Sequence, residues 1–231
     1  VNLIWPIIRD TVVYYWEELF YLTFFNVIIA VAIIPGLVFL NPGTDIPLVL
    51  SVPTSIVLWS AVPYTLFGLF YTVYEISEGK AIKLSTFFSG GKKLLKQAYL
   101  WWVINIVVVI LMLTNITFYN NLKTTWGGYL TLFFAGLFFA WLLVQLFALT
   151  LYPRLETPGF KLATRNALAI LALKPIPVLV TAVLALVLAV VGIVIIPVGL
   201  FIAIALIATL INMTTRHILK ERFGQEAEAD G

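Results

Sequence analysis

From Ile176 to Ile211 the chain runs for 36 residues without a charged side chain. A single helix of that length would be about 54 Å long, whereas the hydrocarbon core of a bilayer is about 30 Å thick. Two spans divided near Pro197 fit better, 178–195 and 198–215, joined by a very tight turn around Ile196 to Gly199. One tilted helix is the alternative, and it would place the C-terminus on the opposite side. The rest of the sequence is of the same kind: 62% hydrophobic and 11% charged residues, with a mean hydropathy of +1.05. Soluble domains carry about 45–50% apolar and about 25% charged residues. A chain of 231 residues has room for about six spans of roughly 20 residues.

The expected fold is all-α, a polytopic helical membrane protein with spans at about 19–40, 48–74, 97–118, 129–152, 178–195 and 198–215. These form one transmembrane domain, residues 1–218, followed by a cytoplasmic tail, 219–231, whose acidic end from Gln225 should be disordered. Pro35-Gly36 lies near the outer end of the first span, and Pro42-Gly43 supplies turn chemistry for the loop after it. Pro53 and Pro63 should kink or interrupt the second span, because each removes a backbone donor and crowds the preceding turn. Two amphipathic interfacial helices are expected. The first, Ile4 to Glu18, carries Trp5, Tyr14, Tyr15 and Trp16, rings suited to the headgroup region; it reads equally well as the cytoplasmic end of a long first span. The second has Phe160, Ala163, Ala167, Ile170 and Leu171 on one face, with Lys161 and Arg165 on another. The N-terminal stretch lacks the basic, apolar and small-residue regions of a signal peptide.

Charge orients these spans. With the N-terminus, the two basic loops and the C-terminal tail on one side, thirteen of the fourteen Lys and Arg residues share it, and only Lys123 lies opposite. The positive-inside rule then predicts a multi-pass protein of the plasma (inner) membrane with both termini cytoplasmic. The basic residues sit at span ends, where the membrane accounts for them, so no nucleic-acid partner is expected. Lys80, Lys83, Lys92, Lys93 and Lys96, with Lys161 and Arg165, are the expected contacts for a partner protein or for anionic lipid, which attracts each basic residue by about 1 kcal/mol. Glu75 and Glu78 flank the first loop and can pair with Lys80 or Lys83.

Chemistry is sparse. No ionisable residue lies deep in a span; Glu17, Glu18, Glu75, Arg154 and Arg216 fall near cytoplasmic ends. The amides Asn26, Asn105 and Gln145 are the expected intramembrane polar contacts, as interhelical hydrogen bonds of about 0.6–2 kcal/mol each. Lining one cavity, they would instead meet the hydroxyls of a neutral solute. Gly90-Gly91 precedes lysines without the spacing of a phosphate loop, and His217 is the only histidine. Cysteine is absent, which excludes disulfides and thiolate metal sites within the chain. Catalytic, cofactor and metal residues are therefore not assigned, and an enzyme is not expected. Small residues at Ala182, Ala185, Ala189 and Gly192, with Ala203 and Ala208, suit close packing of the last two spans or a seam between copies.

Asn26, Pro35, the GLFYTVYEISEGK run (Gly68 to Lys80), Phe87-Phe88, the KKLLKQA run (Lys92 to Ala98) and the LYPRLETPGFKLATRNALAILALKPIP run (Leu151 to Pro177) occur in that order. Together they resemble the YesL-like family of bacterial integral membrane proteins, a group of unknown function; the proline-rich second span departs from its pattern. The resemblance implies a helical membrane protein often encoded among carbohydrate-uptake and polysaccharide-degradation genes, hence an accessory role in sugar import. It carries over no catalytic residue. Two functions are therefore weighed: a non-enzymatic accessory or structural subunit surrounded by lipid and other membrane subunits, and a transporter or facilitator of an uncharged small solute such as a sugar.

Overall fold

A computed structural model of the chain describes residues 3–40 and 46–229. Among them are six helical stretches long and apolar enough to cross a membrane, and no strand, so the fold is all-α and polytopic. The turn expected at Pro42-Gly43 lies outside the described residues.

Helix α1 (Ile4–Glu17) is separate from α2 (Leu19–Phe39), the break falling at Glu18. Its buried residues Ile7, Thr11 and Tyr15 share one face, while Trp5 and Trp16 are exposed. The helix is amphipathic in arrangement, and the break at Glu18 separates it from the first span.

The second span breaks at neither proline itself. Pro53 lies inside α3 (Leu48–Leu58) and Pro63 in the first turn of α4 (Ala61–Ser77), with Trp59 and Ser60 between them. Pro63 has no N–H to offer the carbonyl four residues earlier, that of Trp59, and the interruption falls there. Trp59 fills it: its indole Nε1 donates to the Ile33 carbonyl at 2.7 Å. A Cβ on Gly36 would overlap that indole, so glycine is what lets α2 come close. Ser55 Oγ completes the joint by donating to the Gly36 carbonyl at 3.0 Å.

The basic stretch after α4 is not an open loop. Residues Leu84–Lys93 form α5, which lies along α4. Phe87 stacks on Phe25 of α2 with centroids 4.5 Å apart. Gly90 and Gly91 face Tyr71 and Tyr64 so closely that a Cβ at either would collide. The glycine pair is thus a packing device, and Lys92 and Lys93 remain exposed at the helix end.

Helices α6 (Leu95–Asn121) and α7 (Thr125–Leu151) form a long hairpin. Lys123 takes a left-handed conformation at its tip, and Thr124 Oγ1 caps α7 by accepting from Gly127 N at 3.0 Å. A 3-10 turn, Tyr152–Arg154, leads to α8 (Phe160–Leu173), which buries Ala163, Ala167 and Ile170 as its sequence pattern predicts. The following apolar run is two spans. Helix α9 (Pro175–Val194) ends, Ile195 alone links, and the chain continues as α10 (Ile196–Val198), a π-helical turn (Gly199–Ala203) and α11 (Ile204–Ala229). Pro197 stands in the first turn of the new helix, where its missing N–H costs nothing. Gly192 packs against Gly199 and Ala203, so the small residues close this hairpin within the chain. Where disorder is expected from Gln225, the helix continues to Ala229, in keeping with the strong helix propensity of Ala, Glu and Gln.

Candidate functional site

Polar groups inside the bundle gather at three levels. The first is Asn26, wholly buried on α2. Its Nδ2 donates to the carbonyls of Gly199 and Leu200, both at 2.8 Å, and its Oδ1 accepts from Ala205 N at 2.7 Å. A π turn displaces carbonyls and an N–H from the regular helical ladder, and in an apolar interior each would be costly to leave unpaired. One amide supplies both donors and the acceptor. An apolar groove of about 450 Å³ runs past the same turn, lined by residues including Ala30, Ile33, Gly192 and Gly199.

The second level joins α6 to α7. Asn105 Nδ2 donates to the Trp101 carbonyl at 2.8 Å and lies 3.4 Å from Gln145 Oε1, while Trp141 Nε1 donates to Asn105 Oδ1 at 3.0 Å. Gln145 Nε2 is buried without a protein partner. Of the three amides singled out in the sequence, Asn105 and Gln145 therefore meet, and Asn26 stands apart on a different pair of helices.

The third level lies where α4 and α7 end beside α11. Arg154 Nη1 donates to the Thr150 carbonyl at 2.6 Å; its Nη2 donates to Asn212 Oδ1 at 2.6 Å and reaches Ser77 Oγ at 3.4 Å. Its guanidinium lies 4.9 Å from the centre of the Tyr74 ring. Arg216, one turn beyond Asn212, donates to Tyr14 Oη at 3.1 Å and lies over that ring. Nearby, the hydroxyls of Thr150 and Thr215 are 2.9 Å apart, and those of Thr181 and Thr214 are 2.8 Å apart. Sequence reading placed both arginines near span ends but did not join them. The available signal was the pairing of Asn212 with Arg216 at helical spacing, among the threonines Thr209, Thr214 and Thr215.

The basic residues expected to meet lipid or a partner lie around α5 and α8. Lys80 pairs with Glu75 at 2.9 Å, which also holds its ammonium above the usual lysine range, and lies 5.9 Å from the Tyr74 ring. Lys93 lies over Tyr71 at 5.2 Å. Lys83, Lys92, Lys96, Lys161 and Arg165 are exposed. His217 Nε2 is 2.9 Å from Asp10 Oδ2, and an ionised carboxylate only accepts, so the ring nitrogen donates. This contact and Arg216–Tyr14 fasten α1 to α11.

Helix length, hydropathy and interhelical polar bonding together define a polytopic helical membrane protein. Comparison with family models, curated proteins and solved structures gives no match.

Proposed function

We propose that this chain is a non-enzymatic accessory or structural subunit of a larger assembly in the plasma membrane, with both termini cytoplasmic. The resemblance to the YesL-like family adds a link to carbohydrate uptake. The observation that carries the reading is the α6–α7 hairpin. Only 11% of the most apolar window of α6 is buried. Contacts such as Trp101 and Tyr152 against Phe67, and Tyr99 Oη donating to the Ser60 carbonyl at 3.0 Å, hold the base of this hairpin to α4. Beyond its base, Val107, Leu111, Leu132 and Phe133 face outward. Such a surface is free to pack against another apolar span through close contact and shape, which is how helices associate in lipid. Asn26 of α2 and Asn105 of α6 meanwhile bond across helices, a structural use of amides in a membrane.

The test is photo-crosslinking in native membranes from single positions at Val107 and Leu132, at native expression. A crosslink to one membrane protein, in constant ratio, is expected. Adducts with lipid alone would end the proposal. A liposome assay sets it against passage of a neutral solute: purified protein should not accelerate sugar or polyol uptake, and a saturable flux would favour the facilitator.

A further inference from the structure

We propose that the end of the bundle formed by Arg154, Asn212 and Arg216 is a binding site for a phosphate group, carried either by a lipid headgroup or by a soluble phosphate. Two guanidinium groups belong to this end: that of Arg154 bonds Asn212, and that of Arg216 lies over Tyr14. Arg154 donates to Asn212 Oδ1, and Arg216 follows it by one helical turn.

Their partners within the chain are neutral. Arg154 engages a backbone carbonyl, a hydroxyl, an amide oxygen and a ring face. Arg216 engages a phenol and its ring. Among the described residues, neither is within ion-pair distance of a carboxylate. Glu78, exposed at the end of α4, follows Ser77, which Arg154 reaches, and is the opposing charge on that side.

The donors left over point the same way. Asn212 is wholly buried, yet its Nδ2 has no partner. Arginine only donates, so the amide is held with its oxygen toward Arg154, and its nitrogen must lie beside that contact. Arg216 Nε is likewise buried without a partner. Arg154 uses three of its five N–H groups in side-chain hydrogen bonds. Unengaged N–H groups on Asn212 and Arg216, one turn apart on α11, and on Arg154 bonded to Asn212, lack one thing, an acceptor that is anionic and has several oxygens. A phosphate group has that chemistry, and arginine forks match it in geometry. Arg154 closes the fourth span on the side where the lysines gather, the side from which a lipid phosphate at a span end would approach.

The experiment uses the full chain in maltoside micelles, which contain no phosphate. In one arm phosphatidic acid is added, with diacylglycerol as its uncharged control; in the other, inorganic phosphate is exchanged for chloride at constant ionic strength. Binding is read by native mass spectrometry and by the shift in Tm. Saturable one-to-one binding is expected in one arm or both, and the arm that responds names the source. Arg154→Gln and Arg216→Gln should each weaken it about tenfold. Glu78→Gln, which removes the opposing charge and leaves the site intact, should tighten it about threefold. The triple variant K92Q/K93Q/K96Q should bind as the natural chain does. If Arg154→Gln does not fold, Arg216→Gln and Glu78→Gln decide. Equal binding of diacylglycerol and phosphatidic acid together with no response to phosphate would overturn the site. So would unchanged affinity in both Arg216→Gln and Glu78→Gln, or a loss in the triple variant as large as in the arginine variants.

Discussion

Asn26 shows how one side chain can make an irregular backbone tolerable in an apolar interior. Its amide engages two carbonyls and one N–H of the π turn and the start of α11. Asn26→Leu keeps the volume and removes all three bonds, leaving those groups orphaned in the apolar interior. At roughly 0.6–1.7 kcal/mol for each interhelical bond in a membrane, the variant should lose about 2–5 kcal/mol. Steric trapping in bicelles measures this directly, and a loss under about 0.5 kcal/mol would mean that the π turn satisfies itself. Asp10 makes a second prediction. Burial alone would raise its carboxyl, but hydrogen bonds and charges from Arg9 and His217 outweigh that and hold it below the usual carboxylate value. A depressed value means that its contribution to docking α1 is complete above about pH 4 and is lost as pH falls through the folded value, below about 4. Spin labels at Val12→Cys and Lys220→Cys should give a narrow distance distribution at pH 7 that broadens below about pH 4. In Asp10→Asn the distribution should already be broad at pH 7; one that stays narrow in both proteins and at both pH values would refute the role.

At the scale of elements, α5 depends on close approach. A Cβ at Gly91 would come within 2.8 Å of the Tyr64 carbonyl oxygen, which is backbone and cannot swing aside. Gly91→Ala should therefore lift α5 from α4 at a cost of about 1–3 kcal/mol, with faster hydrogen exchange across residues 84–93. Gly128→Ala, where a Cβ meets open space, is the control. The same helix marks the limit of what the sequence discloses. Spans were legible because lipid demands an uninterrupted apolar stretch of fixed length, as at α6 and α9. The amphipathic α8 was legible from the spacing of Ala163, Ala167 and Ile170. Helix α5 was not, since a Gly-Gly pair beside lysines reads locally as a loop, and the aromatic rings that need those glycines come from α4, remote in sequence. The break in span two was expected from its prolines, yet its position at Trp59 and the reach of that indole to Ile33 are tertiary facts. For the polar sites, residue types could be named in advance but not their grouping: Asn105 meets Gln145, while Asn212 meets Arg154.

At the scale of the molecule, the proposed orientation rests on where the lysines are carried. Lys92, Lys93 and Lys96 are exposed around the junction of α5 and α6, whereas Lys123 is exposed at the tip of the α6–α7 hairpin, at the far end of a 27-residue helix. Such a helix is about 40 Å long, enough to set its ends on opposite faces of a bilayer. Three positive charges against one favour the cytoplasm for the α5 end, because the bias in Lys and Arg near span ends sets topology. The chain has no cysteine, so an introduced one is the only thiol. Lys92→Cys in intact cells should resist a membrane-impermeant maleimide and react after permeabilisation, while Lys123→Cys should react at once. The opposite pattern would invert the protein. It would also put the Arg154 end on the outer face, at odds with cytoplasmic lysines and with any partner expected there.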